Sequence, residues 1–572
     1  MRRPTYVLGT GLSHDGSACL LKDGRVSVAI EKERITRIKH DGMNDSLAIA
    51  YCLDAAGIRM ADVALVVQNA NFSGLRDAHS WFHGPRILDP SVPVVTISHH
   101  LAHAYSAAFT SSFEHAAVLV IDGCGNAYSD CTDLAGAIVP DGPPKLQSLF
   151  FEKDSLYELD GTGRLRSVFK DYSSWNVGMT GHPMSPRTTL HSIGGVYQGV
   201  SAYVFSGLDD PGKLMGLAPY GRPGTYDMPV FDLRDGRVFV RHDWMNRFDR
   251  PCHTYDQFKA DFQYYADIAC WIQREIERAL LYVVECRAHL TTSRNLCYTG
   301  GVALNAVANR RICTEGPFTS VHIPPAAGDN GLALGCALYG WLEVIKGERA
   351  PNDGVQYFGR SYLEESRHVA DAARAQWFVL DGADAIAEAA TLLADGKVIA
   401  WFNGGAEFGP RALGNRSILA DPRRADLRDF INREIKDRED FRPFAPAVLA
   451  EDRACFFTCA FESPHMLLVS PVRDEWRDRI PGVVHRDGSA RLQTVQRESN
   501  PRFYDLIVSF KRRTGIGVVL NTSLNKRRMP IIETPQQALD FFVSTPLDAL
   551  MLDGYLIAKC RAEPACREHV AE

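Results

Sequence analysis

The stretch SHHLAHAYSAAF, residues 98–109, followed by AAVLVIDGCG, residues 116–125, decides how this chain is read. His99 and His103 stand four apart at the start of a helix-like run. Residues four apart on a helix share one face, so two imidazoles can reach one ion. Asp122 closes the apolar strand Ala116–Ile121 and stands directly before a glycine-bearing turn. A carboxylate at a strand end supplies a third ligand, and the glycines let backbone N–H groups approach a phosphate. An HxxxH pair is common in helices and Asp-Gly is an ordinary turn. Their order and spacing carry the reading of a metal-nucleotide site.

Upstream, TYVLGTG, SACLLKDG and RVSVAIEKER read as strand, strand, a Lys-Asp-Gly turn and a third strand. A charged segment ending in Arg37-Ile38-Lys39-His40 follows, then a helix over Asp45–Ala56 and a strand over Val63–Gln68. The theme of strands with an Asp-Gly turn occurs at 5–30 and again at 116–140. A duplicated unit of this kind, each copy placing its turn beside a nucleotide, is the pattern of an actin-like, sugar-kinase-like ATPase fold with two related halves.

Downstream, residues 150–260 have few clear periods and contain GKLMGLAPYG at 212–221. Residues 262–290 predict one long amphipathic helix, with Ile268, Ile272, Ile276 and Leu280 recurring every four positions. A strand at Asn295–Tyr298 leads into TGGVALNAVANR, and VHIPPAAGDNGLALGCALYG ends in another glycine turn before a helix. The polar segment KGERAPNDG, 346–354, places a domain boundary, giving domains over 1–350 and 355–572. The second alternates strands and helices as a mixed α/β unit.

The composition is that of a globular protein of several domains: 572 residues, 45% hydrophobic and 23% charged. A net charge of -6 argues against binding nucleic acid through bulk charge. Fourteen scattered cysteines with no CxxC pair, an N-terminus unlike a signal peptide and no apolar run of membrane-spanning length predict a cytoplasmic protein with reduced thiols.

Three glycine turns, Gly123/Gly125, Gly300/Gly301 and Gly328/Gly331, can surround one triphosphate. Asp329, in GDNG, is the natural fourth ligand beside His99, His103 and Asp122. Mixed nitrogen and oxygen ligands suit iron(II), manganese or zinc better than magnesium. In the second domain Arg411, Arg416, Lys436, Arg442, Arg491 and Ser523 lie among Gly, Pro and apolar residues, which points to a buried anion pocket. Arg423, Arg424 and Lys511–Arg513 read instead as solvated surface.

The motifs HDGSACLLKDG, EKERITRIKH, HHLAHAYSAAF, DGCG, GKLMGLAPYG, GGVALNAVANR, PAAGDNGLALG, EFGPRALGNRSILADPR, FRPFAPAVL, GSARLQTV and NTSLN run in order along nearly the whole chain. With them the chain resembles the carbamoyltransferases of the nodulation-protein and cephamycin type. The resemblance implies an N-terminal domain similar to the metal-dependent ATPase of tRNA threonylcarbamoylation (Kae1-like) and a YrdC-like C-terminal α/β domain. It implies an ATP-dependent O-carbamoyltransferase that cleaves carbamoyl phosphate to carbamate and forms carbamoyl adenylate at a metal-ATP site. The carbamoyl group then passes to a hydroxyl of a small-molecule natural product, an antibiotic or other secondary metabolite.

Carried over by position, His99, His103, Asp122 and Asp329 are the expected metal ligands, with iron(II) first and manganese, zinc or magnesium as alternatives. Gly123, Gly125, Lys213, Gly216, Gly300, Gly301 and Asn305 are expected to contact ATP. Arg411, Lys436, Arg442, Arg491 and Ser523 are expected to hold carbamoyl phosphate. His14 is the expected base for the acceptor, with Lys39 nearby. The expected partners are a small hydroxyl acceptor, no nucleic acid and no membrane, in a monomer or homodimer. Two positions depart from the family pattern: Asn126 after DGCG, where an effect on acceptor contacts is expected, and Arg528-Met529-Pro530 after NTSLN. The competing readings are a threonylcarbamoyladenylate-type tRNA-modification enzyme and an actin-fold regulatory ATPase that transfers nothing.

Overall fold

The computed structural model describes residues 3–42, 44–70, 86–174, 184, 192–207, 211–241, 243–351, 354 and 356–559. Strands β1 (Tyr6–Leu12), β2 (Ser17–Lys22), β3 (Arg25–Glu31), β4 (Val63–Ala70) and β5 (Val94–Thr96) form one sheet in the order β3-β2-β1-β4-β5. β1, β2 and β3 are antiparallel neighbours, and β4 and β5 continue in parallel from β1. Asp23 and Gly24 make the two-residue β2–β3 turn with φ of 49° and 80°, the mirror-image turn that matches strand twist.

The chain then makes β6 (Ala116–Ile121), β7 (Phe150–Leu159), β8 (Leu165–Ser174), a separate ribbon of β9 (Phe231–Arg234) and β10 (Arg237–Val240), and β11 (Asn295–Thr299) and β12 (Ser320–His322). The second sheet runs β8-β7-β6-β11-β12. Its first three strands are antiparallel and the last two parallel to β6, so it repeats the first sheet strand for strand. Two halves of one topology are present, but not with the 116–140 bounds read from the sequence. The second and third strands of the second copy are β7 and β8, and its Asp-Gly turn follows β6, whereas Asp23-Gly24 joins β2 to β3. The β7–β8 hairpin escaped the sequence reading because its buried positions carry charge. Glu152 pairs with Lys170 at 2.5 Å, Lys153 with Asp171 at 2.8 Å and Asp154 with Arg287 at 2.5 Å.

Apolar faces of both sheets enclose the helices His99–Thr110 and Leu332–Tyr339. The two helices cross at Gly335, where a Cβ would lie 1.8 Å from the carbonyl oxygen of Ala102; only glycine permits that approach. This crossing fixes the first turn of the His99 helix against the Asp329 turn that opens the other. The long helix predicted at 262–290 spans Phe262–Ala288.

A third sheet contains β13 (Phe378–Asp381), β14 (Ile399–Phe402), β15 (Arg416–Ala420), β16 (Ala445–Leu449), β17 (Leu468–Pro471), β18 (Ser489–Val495), β19 (Val518–Ser523), β20 (Ala549–Leu552) and β21 (Tyr555–Ala558). Its order is β13-β21-β20-β14-β15-β19-β16-β18-β17, and only the β14–β20 and β16–β18 pairs are parallel. Helices Ala383–Ala394 and Pro501–Thr514 cover one face, and Pro535–Val543 with Leu363–Ala373 covers the other. No helix among the described residues is long and apolar enough to cross a membrane.

The second domain meets the first through His465, whose Nδ1–H donates to the Ile323 carbonyl (2.8 Å), and through Asn309, which donates to the Leu467 carbonyl (2.9 Å). The His465 ring lies 6.1 Å from that of His322. Burial pushes His465 down to about 4 and, with the neighbouring His465 and Arg349, pushes His322 down to about 3. Both are neutral when folded and take up protons below pH 6.5 when unfolded, so the unfolded state binds more protons there and stability falls with pH. We expect roughly 2–4 kcal/mol to be lost between about pH 6.5 and 4, read from urea unfolding across that range. His465→Gln flattens the dependence; an unchanged slope in that variant refutes the assignment.

Candidate active site

Two imidazoles and two carboxylates converge where the ends of β6 and the Asp329 turn face the first turn of the His99 helix. His99 Nε2 lies 2.9 Å from Asp122 Oδ2 and 3.4 Å from Asp329 Oδ1. His103 Nε2 lies 3.5 Å and 3.6 Å from the same two oxygens, and 3.1 Å from His99 Nε2. The four ligand atoms all fall within 4.8 Å of one another, and all four side chains are buried. Desolvation lowers the His99 pKa, but Asp329 and Asp122 outweigh it and raise it to about 10. His103 is raised against burial by hydrogen bonds to the same carboxylates. Acceptor atoms packed this closely repel one another unless protons or a cation lie among them. Two imidazole nitrogens with two carboxylate oxygens fit a borderline divalent cation.

The glycine turns serve this cluster in a way the sequence did not disclose. Asp122 Oδ1 accepts from the Gly123 N–H (2.7 Å) and the Gly301 N–H (3.1 Å), which leaves Oδ2 facing the histidines. The Gly125 N–H donates to the Glu152 carbonyl and the Gly300 N–H to the Ala327 carbonyl, each at 2.9 Å. All four amides, expected as phosphate donors, are engaged by the protein in this structure. Asn305 likewise exchanges hydrogen bonds with Gln273 (3.0 and 3.1 Å) while accepting from the Ala308 N–H at the start of its helix.

Asn126, the first departure from the family pattern, is buried at the start of the His99 helix. Its Oδ1 accepts from the His99 N–H (2.8 Å), and Glu152 Oε2 accepts from the His100 N–H (3.2 Å). These two side chains satisfy N–H groups that the helix start leaves open, and the Glu152 charge complements the helix dipole. Burial would raise the Glu152 carboxyl, but Lys170 and His100 outweigh it and hold it at about 2.

His14 follows β1 as Asp122 follows β6, so the repeated topology brings both turns to one place. His14 Nε2 lies 3.5 Å from Asp329 Oδ2 and its Nδ1 lies 3.3 Å from Asp15 Oδ2. Desolvation lowers the His14 pKa, but Asp329 and Asp15 outweigh it and raise it to about 10. A proton acceptor here therefore requires the Asp329 charge to be taken up by a cation. Asp15 is shared with His40, whose Nδ1 lies 2.7 Å from Oδ1. It is His40, and not Lys39, that meets the His14 pair.

Lys39 instead lines a cavity of about 690 Å³ between the domains, with its ammonium 3.4 Å from Glu33. Arg411, Lys436, Arg442, Arg491 and Ser523 line the same cavity, as read from the sequence. Lys213 and Gly216, expected beside the nucleotide glycines, lie in its wall, and Lys213 Nζ sits 3.4 Å from Glu439 of the second domain. Arg416 is not in the lining. It stacks on Phe402 at 3.5 Å and donates to the carbonyls of Asn403, Gly404 and Asn415, pinning the loop before β15. The sequence reading missed Arg438 and Arg527, which join the lining; Arg438 sits in the charged run KDRED and reads there as surface. Cations outnumber carboxylates in this wall. Burial and Arg442 push Arg411 down to about 10, and burial with the neighbouring cations pushes Lys436, Arg438 and Arg491 down. The buried Nε atoms of Arg411 and Arg491 have no hydrogen-bond partner among the described residues. Such a set of buried cations could be offset by an anion in the cavity.

A duplicated α/β unit carrying a cluster of two histidines and two carboxylates that could hold a cation is thus joined to a further sheet across a cavity lined mainly by cations. The chain belongs to the carbamoyltransferase family. The family model described as Carbamoyltransferase N-terminus matches residues 7–75 and 89–338, and Carbamoyltransferase C-terminus matches 390–559. The chain is 34% identical to nodulation protein NolNO of Sinorhizobium fredii, over 96% of this chain and 80% of that protein. It is 31% identical to 3'-hydroxymethylcephem-O-carbamoyltransferase of Streptomyces clavuligerus, over 90% of this chain and 91% of that one. Full-length HypF in its phosphate- and nucleotide-bound form aligns at a TM-score of 0.36 and 11% identity, over 59% of this chain and 56% of that one, too faint a likeness to bear on the chemistry.

Proposed function

We propose that this carbamoyltransferase is an ATP-dependent O-carbamoyltransferase working through two sites in series. The observation that carries the reading is the pairing, in one chain, of a buried two-histidine, two-carboxylate cluster with a separate cavity whose cations exceed its carboxylates. At the cavity, water cleaves carbamoyl phosphate to carbamate and phosphate, in a YrdC-like domain. Arg411, Lys436, Arg442 and Arg491 hold the phosphoryl oxygens and stabilise the departing phosphate. At the cluster, in an actin-like, Kae1-like domain, a carbamate oxygen attacks the α-phosphorus of ATP, giving carbamoyl adenylate and pyrophosphate. His99, His103, Asp122 and Asp329 would hold a divalent cation, iron(II), manganese, zinc or magnesium, which when bound offsets charge on the triphosphate.

In the last step the acceptor hydroxyl attacks the carbamoyl carbon, AMP leaves, and the hydroxyl proton passes to His14 Nε2 with Asp15 orienting the ring. Carbamate decomposes in water, so a closed path between the sites prevents its loss. The acceptor is a small-molecule hydroxyl of a secondary metabolite, the reading that the cephem-modifying relative supports.

The test measures pyrophosphate release from ATP with a divalent cation, with and without carbamoyl phosphate. Release that requires carbamoyl phosphate, and gain of one carbamoyl group by a hydroxyl compound, supports the proposal. Phosphate release from ATP regardless of carbamoyl phosphate identifies a plain ATPase and sinks it.

A further inference from the structure

The segment after β3 ties the two sites to each other. Glu31 and Arg34, on and just after the strand end, are almost wholly buried and pair at 2.8 Å. Glu31 Oε1 accepts from the Gly409 N–H at 2.5 Å and from Asn330 Nδ2 at 3.3 Å. Arg34 Nη2 donates to the Gly409 carbonyl at 2.7 Å. Gly409 is thus gripped by both its N–H and its C=O. It has φ +134°, and a Cβ there would meet the Pro325 carbonyl oxygen at 2.5 Å, so no other residue takes this place without moving the loop.

Asn330 adjoins Asp329 of the cation cluster, and Gly409 is two residues before Arg411 of the cavity. One carboxylate therefore touches the neighbours of a functional residue at each site. Further along, Arg37 donates to the carbonyls of Ile531 (2.6 Å) and Pro530 (2.7 Å), beside the Arg527–Met529 rim of the cavity. A buried ion pair contributes little net stability over apolar residues of similar volume; its best attested use is to fix registry.

We propose that the Glu31–Arg34 pair is a positioning device that holds the Asp329 turn and the Arg411 loop in register, so that carbamate released at the cavity is used at the cluster. This rests on the two-site reading above. Neither residue touches a reacting group; both act through Asn330 and Gly409.

The experiment uses the full chain with carbamoyl phosphate, ATP and a divalent cation. It reads phosphate released from carbamoyl phosphate against pyrophosphate released from ATP. In Asn330→Ala, which leaves the Gly409 contacts in place, phosphate release stays within about twofold of the parent; in Glu31→Gln, which also loosens the grip beside Arg411, both releases fall, pyrophosphate further. The ratio of phosphate to pyrophosphate rises about tenfold, because a displacement of about an ångström at one site uncouples the steps. Arg34→Lys keeps the charge but loses the fork that reaches both Glu31 and Gly409, so it fails to restore the parent ratio. A ratio unchanged in all three variants, whether both rates hold or fall together, overturns the proposal and leaves the pair a fold-stabilising contact. If Glu31→Gln does not fold, Asn330→Ala, which removes no charge, decides alone. A parent chain whose pyrophosphate release ignores carbamoyl phosphate refutes the two-site reading, which is a different failure.

Discussion

Replacing His99 with alanine lowers carbamoyl phosphate-dependent pyrophosphate release by at least ~10²–10³-fold, because one ligand to a charge-stabilising cation is lost. Phosphate release from carbamoyl phosphate stays within about twofold, since the cavity shares no side chain with the cluster. The geometry makes the change specific. His99 Nε2 is the closest of the cluster atoms to Asp122, and its backbone N–H, not its ring, makes the bond to Asn126. The helix therefore keeps its cap in the variant. Cation content after dialysis and the two release assays decide the matter. If both releases collapse together in a protein that still unfolds cooperatively, cluster and cavity do not serve separate steps.

Arg411→Leu has the opposite profile, with an added sign that a merely structural arginine would not produce. Phosphate release from carbamoyl phosphate falls by ~10²–10³-fold, the scale of losing a charge-assisted contact to an anion. At the same time the protein becomes more stable, by about 1–3 kcal/mol, because a poorly paired cation is replaced by an apolar side chain. The reason is local. Burial and Arg442 push Arg411 down to about 10, and its Nε finds no partner among the described residues. Inorganic phosphate supplies the missing counter-charge, so it raises the melting temperature of the parent more than that of the variant. A variant that melts lower than the parent, or that hydrolyses carbamoyl phosphate normally, removes Arg411 from the anion site.

How much was legible in the sequence follows from where each interaction is encoded. His99 and His103 announce themselves because helical spacing is local, and Asp122 because an apolar strand ends at it. The Asp23-Gly24 turn, the long helix and the repeated strand theme are local patterns as well, with periods of two or of about four residues. Arg411 stood out because Gly409, Pro410, Ala412 and Leu413 surround a charge with residues that bury. The β7–β8 hairpin stayed hidden because Glu152, Lys153, Asp154, Lys170 and Asp171 read as solvent-facing, yet each is buried against an opposite charge on another strand or helix. The place of Lys213 in the cavity wall was not legible for a similar reason, since Glu439, 3.4 Å away, lies far along the chain.

The sequence by itself determined many of the elements, the theme of repeated strands in the first half and the four side chains that cluster at His99, because backbone periodicity and turn chemistry act between near neighbours. Only the tertiary structure decided that the glycine amides hold Asp122, that Asn126 caps the ligand helix, and that Lys39 and Lys213 face the cavity. A buried charge or N–H must find its partner wherever the fold brings one, and partners as far apart in the chain as Glu31 and Gly409 leave no periodic trace.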